Sequence, residues 1–253
     1  GPGQFIWPMG IALDKDTNVY VTDEWLNRIT KYNKDGEYIS HWGIHGSGDG
    51  ETDRPAGIAV GQDNTLYIVD SRNNRVQKFD LDGKFLGRFG SAGSGDGQFN
   101  LPWGMCLGGE DNVFVADWRN DRIQKFTPDG KFLMKIGSSG SGEGQLNRPT
   151  DVAVDNDGVI YVADWMNDRI QVFDADGNFV TLRTGDATVS KWGKDKLDAN
   201  SEMWGERDRA EGLERERLFW APSGITVDDD NNVFVCESPR NRIQVYRKQS
   251  PTF

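Results

Sequence analysis

The residues of this 253-residue chain that could carry chemistry are few, and they fall into a regular set and an irregular one. An acidic residue followed five positions later by arginine occurs five times, as Asp23 and Arg28, Asp70 and Arg75, Asp117 and Arg122, Asp164 and Arg169, and Glu237 and Arg242. A carboxylate and a guanidinium at that spacing can meet across a tight turn and bind its amides, so a pair written five times is expected to be scaffold. The tryptophans are less regular. Trp7, Trp103 and Trp220 stand near prolines, while Trp25, Trp118 and Trp165 closely follow the acidic positions. Amphipathic rings gathered at one mouth suit stacking on a sugar, an aromatic or apolar small molecule, or a partner's side chain. Arg72, Arg119 and Arg240 fall on the same rim, placed to pair with a carboxylate or stack on a ring.

Enzymatic sets are thin by comparison. The sequence has no Gly-x-Ser-x-Gly elbow, and His41 and His45 are its only histidines, so a three-histidine zinc site cannot be built. The Gly-Ser-Gly-Asp/Glu-Gly loops at 46–50, 93–97 and 140–144 lack the Gly-Lys-Ser/Thr ending of a phosphate loop and read as turns, with Asp49, Asp96 and Glu143 as weak Ca²⁺ positions at the rim. Asp151 replaces the glycine found at 10, 57, 104 and 224, and is the single weak metal candidate on the channel. No cofactor is expected beyond a divalent cation, Ca²⁺, in channel or rim. Cys106 and Cys236 are too isolated for a disulfide framework or a zinc site and are expected as small buried apolar residues.

A repeat must position all of these. The acidic positions recur at intervals of 47, 47, 47 and 73 residues, and Pro8, Pro55, Pro102, Pro149 and Pro222 keep the same intervals. Each unit carries short alternating or β-branched runs separated by turn residues, as in residues 57–60, 65–70, 75–80 and 84–90. Four such strands per unit is the pattern of a β-propeller blade, in which radially stacked sheets cover one another's faces.

The form P-x-G-I-A-V-D, then V-Y-V-A-D-x-x-N-N-R-I-Q-K-F-D, then G-x-F-L and F-G resembles the NHL repeat over nearly the whole chain except roughly residues 186–217. The resemblance implies an all-β propeller of four-stranded blades, with repeats at about 3–43, 50–90, 97–137, 144–185 and 218–248 in one domain. Five repeats leave two arrangements open, a five-bladed ring or a six-bladed ring lacking its first blade. Between repeats 4 and 5 lies an insertion rich in Glu, Arg and Lys, read as a helical flap over 186–217. Asn200 or Ser201 caps a helix running to about Leu218, with Met203, Trp204, Ala210, Leu213 and Leu218 as a ragged apolar stripe interrupted by Gly205 and Gly212.

For function, the resemblance admits binding modules, lyases and hydrolases. The residues favour a binding module, with a small molecule or a protein or peptide partner held by Trp7, Trp25, Trp103, Trp118, Trp165 and Trp220. The alternative is a lactonase-like hydrolase or lyase using a divalent metal in the channel. RNA binding is disfavoured by a net charge of −11 and would need a local basic patch around Arg54, Arg72, Arg119 and Arg148. An incomplete ring would favour self-association. No apolar run is long enough for a membrane helix, so the chain is expected to be soluble. Its start, Gly1-Pro2 without a leader, suggests that the native N-terminus lies upstream, and the compartment stays open.

Overall fold

The computed structural model describes residues 1–189, 191–209 and 216–248. Five antiparallel sheets follow one another along the chain. Blade 1 is built from Pro8–Leu13, Val19–Asp23, Arg28–Tyr32 and Tyr38–Trp42. Blade 2 has Pro55–Val60, Leu66–Asp70, Arg75–Phe79 and Phe85–Phe89. Blade 3 has Pro102–Leu107, Val113–Asp117, Arg122–Phe126 and Phe132–Ile136, and blade 4 has Pro149–Val154, Ile160–Asp164, Arg169–Phe173 and Phe179–Arg183. Blade 5 has three strands among the described residues, Pro222–Val227, Asn232–Glu237 and Arg242–Arg247. The fold is an all-β propeller of five blades.

Second strands such as Leu66–Asp70 and Val113–Asp117 are buried on both faces, because each sheet is packed between two neighbours. The core therefore lies between blades. Ile29 and Tyr20 of blade 1 pack with Ile58 and Ile68 of blade 2, and Ile123 and Ala116 of blade 3 pack with Val152 and Val162 of blade 4. Each such isoleucine removed from water contributes roughly 1.5–3 kcal/mol. The arc is open. Ile58, Met105, Val152 and Ile225 occupy equivalent inner-strand positions and are all buried, whereas their blade 1 equivalent, Ile11, is 70% exposed. Ile243 of blade 5, equivalent to the fully buried Ile29 and Ile123, is 61% exposed. Cys236 shares that uncovered face and is exposed, which corrects the expectation of a buried thiol, while Cys106 is partly buried.

First strands line the channel, where neighbouring backbones come too close for side chains. A Cβ on Gly57 would lie 2.7 Å from the Met105 amide nitrogen, and one on Gly104 would lie 2.5 Å from the Thr150 carbonyl oxygen.

The insertion contains two short helices, α1 (Lys191–Asp198) and α2 (Ser201–Arg209), in place of one helix running to Leu218. Asn200 separates them and caps α2, its side-chain oxygen accepting the Glu202 amide at 3.1 Å. Ala210, Gly212 and Leu213 of the expected stripe lie outside the described residues, as do residues 249–253.

Candidate functional site

Second and third strands of each blade end opposite one another, which aligns each acidic residue with its arginine: Asp70 with Arg75, Asp117 with Arg122, Asp164 with Arg169 and Glu237 with Arg242. In blades 2 to 4 the carboxylates are fully buried and paired with arginine Nε at 2.7, 2.8 and 2.7 Å. Glu237 pairs with Arg242 in the same way. A second contact was not legible in the spacing. Each guanidinium also reaches the Gly-rich loop entering its own blade. Arg75 donates to the carbonyls of Ser47, Gly48 and Glu51, Arg122 to those of Gly95 and Gln98, and Arg169 to those of Ser141, Gly142 and Gln145. Gln77, Gln124 and Gln171 complete the network, each donating to both carboxylate and loop. In blade 1 the pair is not made. Asp23 accepts the amides of Ile6, Trp7, Trp25 and Leu26, whereas Arg28 donates to the carbonyls of Gly1 and Gln4 and its buried Nε has no partner.

The residue before the first-strand proline is left-handed in four blades, at Arg54, Leu101, Arg148 and Ala221, with φ of 58°, 50°, 53° and 50°. That conformation is doubly disfavoured, for a non-glycine and for a residue preceding proline. It is held by a hydrogen bond from the preceding blade. The four amides donate to the side-chain oxygens of Asn27, Asn74, Asp121 and Asp168 at 2.7–2.8 Å. The turns between strands two and three lean on the same corner, with Arg72, Arg119 and Met166 amides donating to the carbonyls of Asp53, Asn100 and Asn147. The two kinds of tryptophan position are thereby brought to one rim.

Of the six tryptophans singled out in the sequence, three form a continuous strip. Trp103 and Trp118 have ring centroids 5.6 Å apart, and Trp118 and Trp165 are 6.2 Å apart, all half-buried. The Arg148 guanidinium lies 4.4 Å from the Trp118 ring centre and that of Arg119 lies 5.6 Å from it. Arg148 belongs to blade 4 and Trp118 to blade 3, so the site bridges two blades. Trp7 and Trp25 are exposed on blade 1, without ring contact to the strip. Trp220 lies under Arg240 at 5.7 Å. Arg240 is engaged with the insertion, donating to the carbonyls of Glu216 and Leu218, and Arg72 is exposed on the turn of blade 2.

Asp151 projects from the first strand of blade 4 into the space left by Gly104 and Gly224. Its Oδ2 accepts the Ile225 amide of blade 5 at 3.0 Å and its Oδ1 accepts the Val152 amide at 3.0 Å. Burial pushes its carboxyl up to about 7, against the pull of those two amides. Burial and the neighbouring Asp151 charge push the Cys106 thiol well up and raise that of Cys236. Asp151 is the one carboxylate at these channel-facing positions. Glycine stands at the four positions equivalent to Asp151, and no group of three or more His, Cys, Asp or Glu that could hold a metal exists among the described residues. The rim loops are closed by their own chain. Glu51 accepts the Gly48 amide, Gln98 that of Gly95 and Gln145 that of Gly142, while Asp49 pairs with Arg88 at 3.1 Å.

The insertion is tied to blade 5 through Asp186, whose amide meets Gln244 and Tyr246, and through Arg242, which donates to the carbonyls of Glu216 and Leu218. A cleft of about 150 Å³ opens at its base between Ala187, Arg207, Glu216 and Arg242. A larger one of about 540 Å³ lies on the uncovered face of blade 5, beside Cys236, Asn241 and Ile243. No helix among the described residues is long and apolar enough to cross a membrane.

These blades define a class. The chain belongs to the six-bladed β-propellers: residues 107–250 match the family model described by that name, and residues 12–141 match the SMP-30/gluconolactonase/LRE-like region. Among solved structures it is similar to the virginiamycin B lyase of Staphylococcus aureus, with 15% identity, a TM-score of 0.61, and coverage of 98% of this chain and 72% of that one. It is also similar to a gluconolactonase from Xanthomonas campestris, at 16% identity and a TM-score of 0.64, covering 97% of this chain and 74% of that one. A chain of a nidogen/laminin complex gives 16% identity and a TM-score of 0.64, covering 95% of this chain and 75% of that one. No curated protein matches the chain. At these identities the likeness speaks for the fold.

Proposed function

We propose that this chain is an NHL-type propeller acting as a binding module, its ligand or partner held on the face made by Trp103, Trp118 and Trp165. The observation that carries the reading is the three-indole strip across the junction of blades 3 and 4, with two guanidiniums over its central ring. Stacked amphipathic rings at a rim offer large contact area at little entropic cost, and the left-handed corner at Arg148 fixes one of the cations in advance. The match to the SMP-30/gluconolactonase/LRE-like region favours a second reading, a lactonase-like hydrolase or lyase. That reading has one channel carboxylate, Asp151, and no ligand set around it among the described residues. NMR on protein labelled at the tryptophan rings tests the choice. Titration with sugars, aromatic acids and short peptides should shift the Trp103, Trp118 and Trp165 signals while leaving Trp42, packed between blades 1 and 2, unmoved. A ligand that shifted none of the three, or stoichiometric metal in protein purified at neutral pH, would overturn the binding-module reading.

A further inference from the structure

The charge on the tryptophan face points to the chemistry of its partner. Arg72, Arg119 and Arg148 reach this rim, and among the described residues none of their guanidiniums has a carboxylate or carbonyl to bind. Other arginines nearby are committed. Arg54, which holds the position in blade 2 that Arg148 holds in blade 4, pairs with Glu24 at 2.7 Å, and Arg240 binds the insertion's carbonyls. In a chain of net charge −11, three open guanidiniums on one rim, two of them over Trp118, set positive charge against the aromatic strip. The carboxylate at the Arg148 corner is already occupied: Asp121 accepts the Arg148 amide and the Ser139 hydroxyl, each at 2.7 Å.

The shape of the face matters as much as its charge. Small-molecule sites are concave and enclose most of their ligand. Neither the cleft beside Cys236 nor the one at the base of the insertion is lined by Trp103, Trp118, Trp165 or these arginines. An open strip of rings flanked by cations and by the exposed Met166 instead suits an extended segment. We infer that the occupant is an acidic segment of a partner protein, whose Asp or Glu carboxylates pair with Arg148, Arg119 and Arg72 while its aromatic or proline side chains lie on the indoles. This rests on the binding-module reading above. A nucleic-acid strand would need more neutralised phosphates than three arginines supply on an acidic protein.

The test uses the full chain and a random copolymer of glutamate and tyrosine, with a lysine–tyrosine copolymer and poly(U) as comparisons, read by tryptophan fluorescence at several salt concentrations. The Glu–Tyr copolymer should bind, more weakly as salt rises, and the other two should not. Arg148→Gln and Arg119→Gln should each weaken that binding roughly tenfold with an unchanged melting curve, and Arg183→Gln on the outer strand of blade 4 should have no effect. The inference falls if the Glu–Tyr copolymer does not bind, if the two variants bind it as the parent does, or if poly(U) binds instead. Its failure is separable from that of the underlying reading. An uncharged tyrosine-rich peptide that binds equally well through the same indoles would remove the acidic partner and leave the module, whereas silence of Trp103, Trp118 and Trp165 toward every probe would remove both.

Discussion

Asp117 and Arg122 in blade 3 and Asp23 and Arg28 in blade 1 hold the same places at the facing ends of two strands, yet they bond differently. In blade 3 the guanidinium bridges the buried carboxylate and two carbonyls of the loop that enters the blade. In blade 1 the carboxylate is equally buried and takes four amides, while the arginine keeps only its loop contacts, donating to the carbonyls of Gly1 and Gln4, the repeat equivalents of Gly95 and Gln98. The difference lies in the ion pair and not in the loop. Gln4 accepts the Gly1 amino group as Gln98 accepts the Gly95 amide, so the loop turn is closed alike in both blades. The arginine is therefore a clamp on the entering loop in both blades and a counter-ion to its neighbour in one.

The comparison breaks most easily at its strong end. Arg122→Ala should leave a fully buried carboxylate without its cation and release the loop, at a cost of about 3–5 kcal/mol in denaturant unfolding. Asp117→Ala should cost a similar amount, because it strands a buried guanidinium and the Asn100 amide together. If either variant unfolded at the parental midpoint, the latch would contribute nothing to the fold.

Asp151 sharpens the contrast between repeated and unrepeated charges. The latch carboxylates are compensated by arginine, whereas Asp151 meets only two amides in the channel and its carboxyl is raised from 3.8 to about 7. A carboxyl that holds its proton more tightly in the native state binds more protons there than in the unfolded chain between those values. Its contribution to stability is greatest below about pH 4, falls as pH rises to about 7, and then levels. Asp151→Asn keeps an oxygen for the Ile225 amide without the charge. It should flatten that part of the stability profile and be more stable than the parent at pH 8, as read from denaturant midpoints across pH. Parallel profiles for the two proteins would show that Asp151 is not the responsible group.

Much of this was legible in the sequence, and the rest was hidden for identifiable reasons. Strand alternation and regular prolines mark the blades because each sheet is buried on both sides, which leaves a strong periodic signal. The acidic–arginine spacing gives the pairing, since strand register alone sets those residues opposite. It does not give the loop clamp, which depends on carbonyls 24 to 28 residues upstream, and carbonyls carry no sequence signal. Trp103, Trp118 and Trp165 were readable as a group from their repeat positions. Trp7 and Trp25 stand apart because they hold the repeat positions of Arg148 and Arg119, and blade 2 carries Ala56 and Ser71 where blade 3 has Trp103 and Trp118. Arg148 was visible only as one member of a basic patch, because its reach over Trp118 depends on the left-handed corner held by Asp121. The signal available was the Asn or Asp just before each latch arginine, at 27, 74, 121 and 168. Helix α1 falls within the stretch read as helical but had no bounds of its own, since Lys191–Asp198 has few apolar residues and an internal glycine.

The smallest effect falls at the weak end of the comparison. Arg28→Ala removes two carbonyl contacts at an exposed corner and leaves Asp23 with all four of its amides. Arg28 is half-buried, but its two hydrogen bonds lie at the exposed edge, where water competes for both partners, so the loss should be below about 1 kcal/mol. The same substitution in blade 3 should cost several times more, although the two arginines occupy one position of one repeat. Denaturant midpoints of Arg28→Ala and Arg122→Ala, measured side by side, read the ion pair directly. Similar losses would mean that the loop held behind the arginine, rather than its pairing with the carboxylate, sets the strength of the latch.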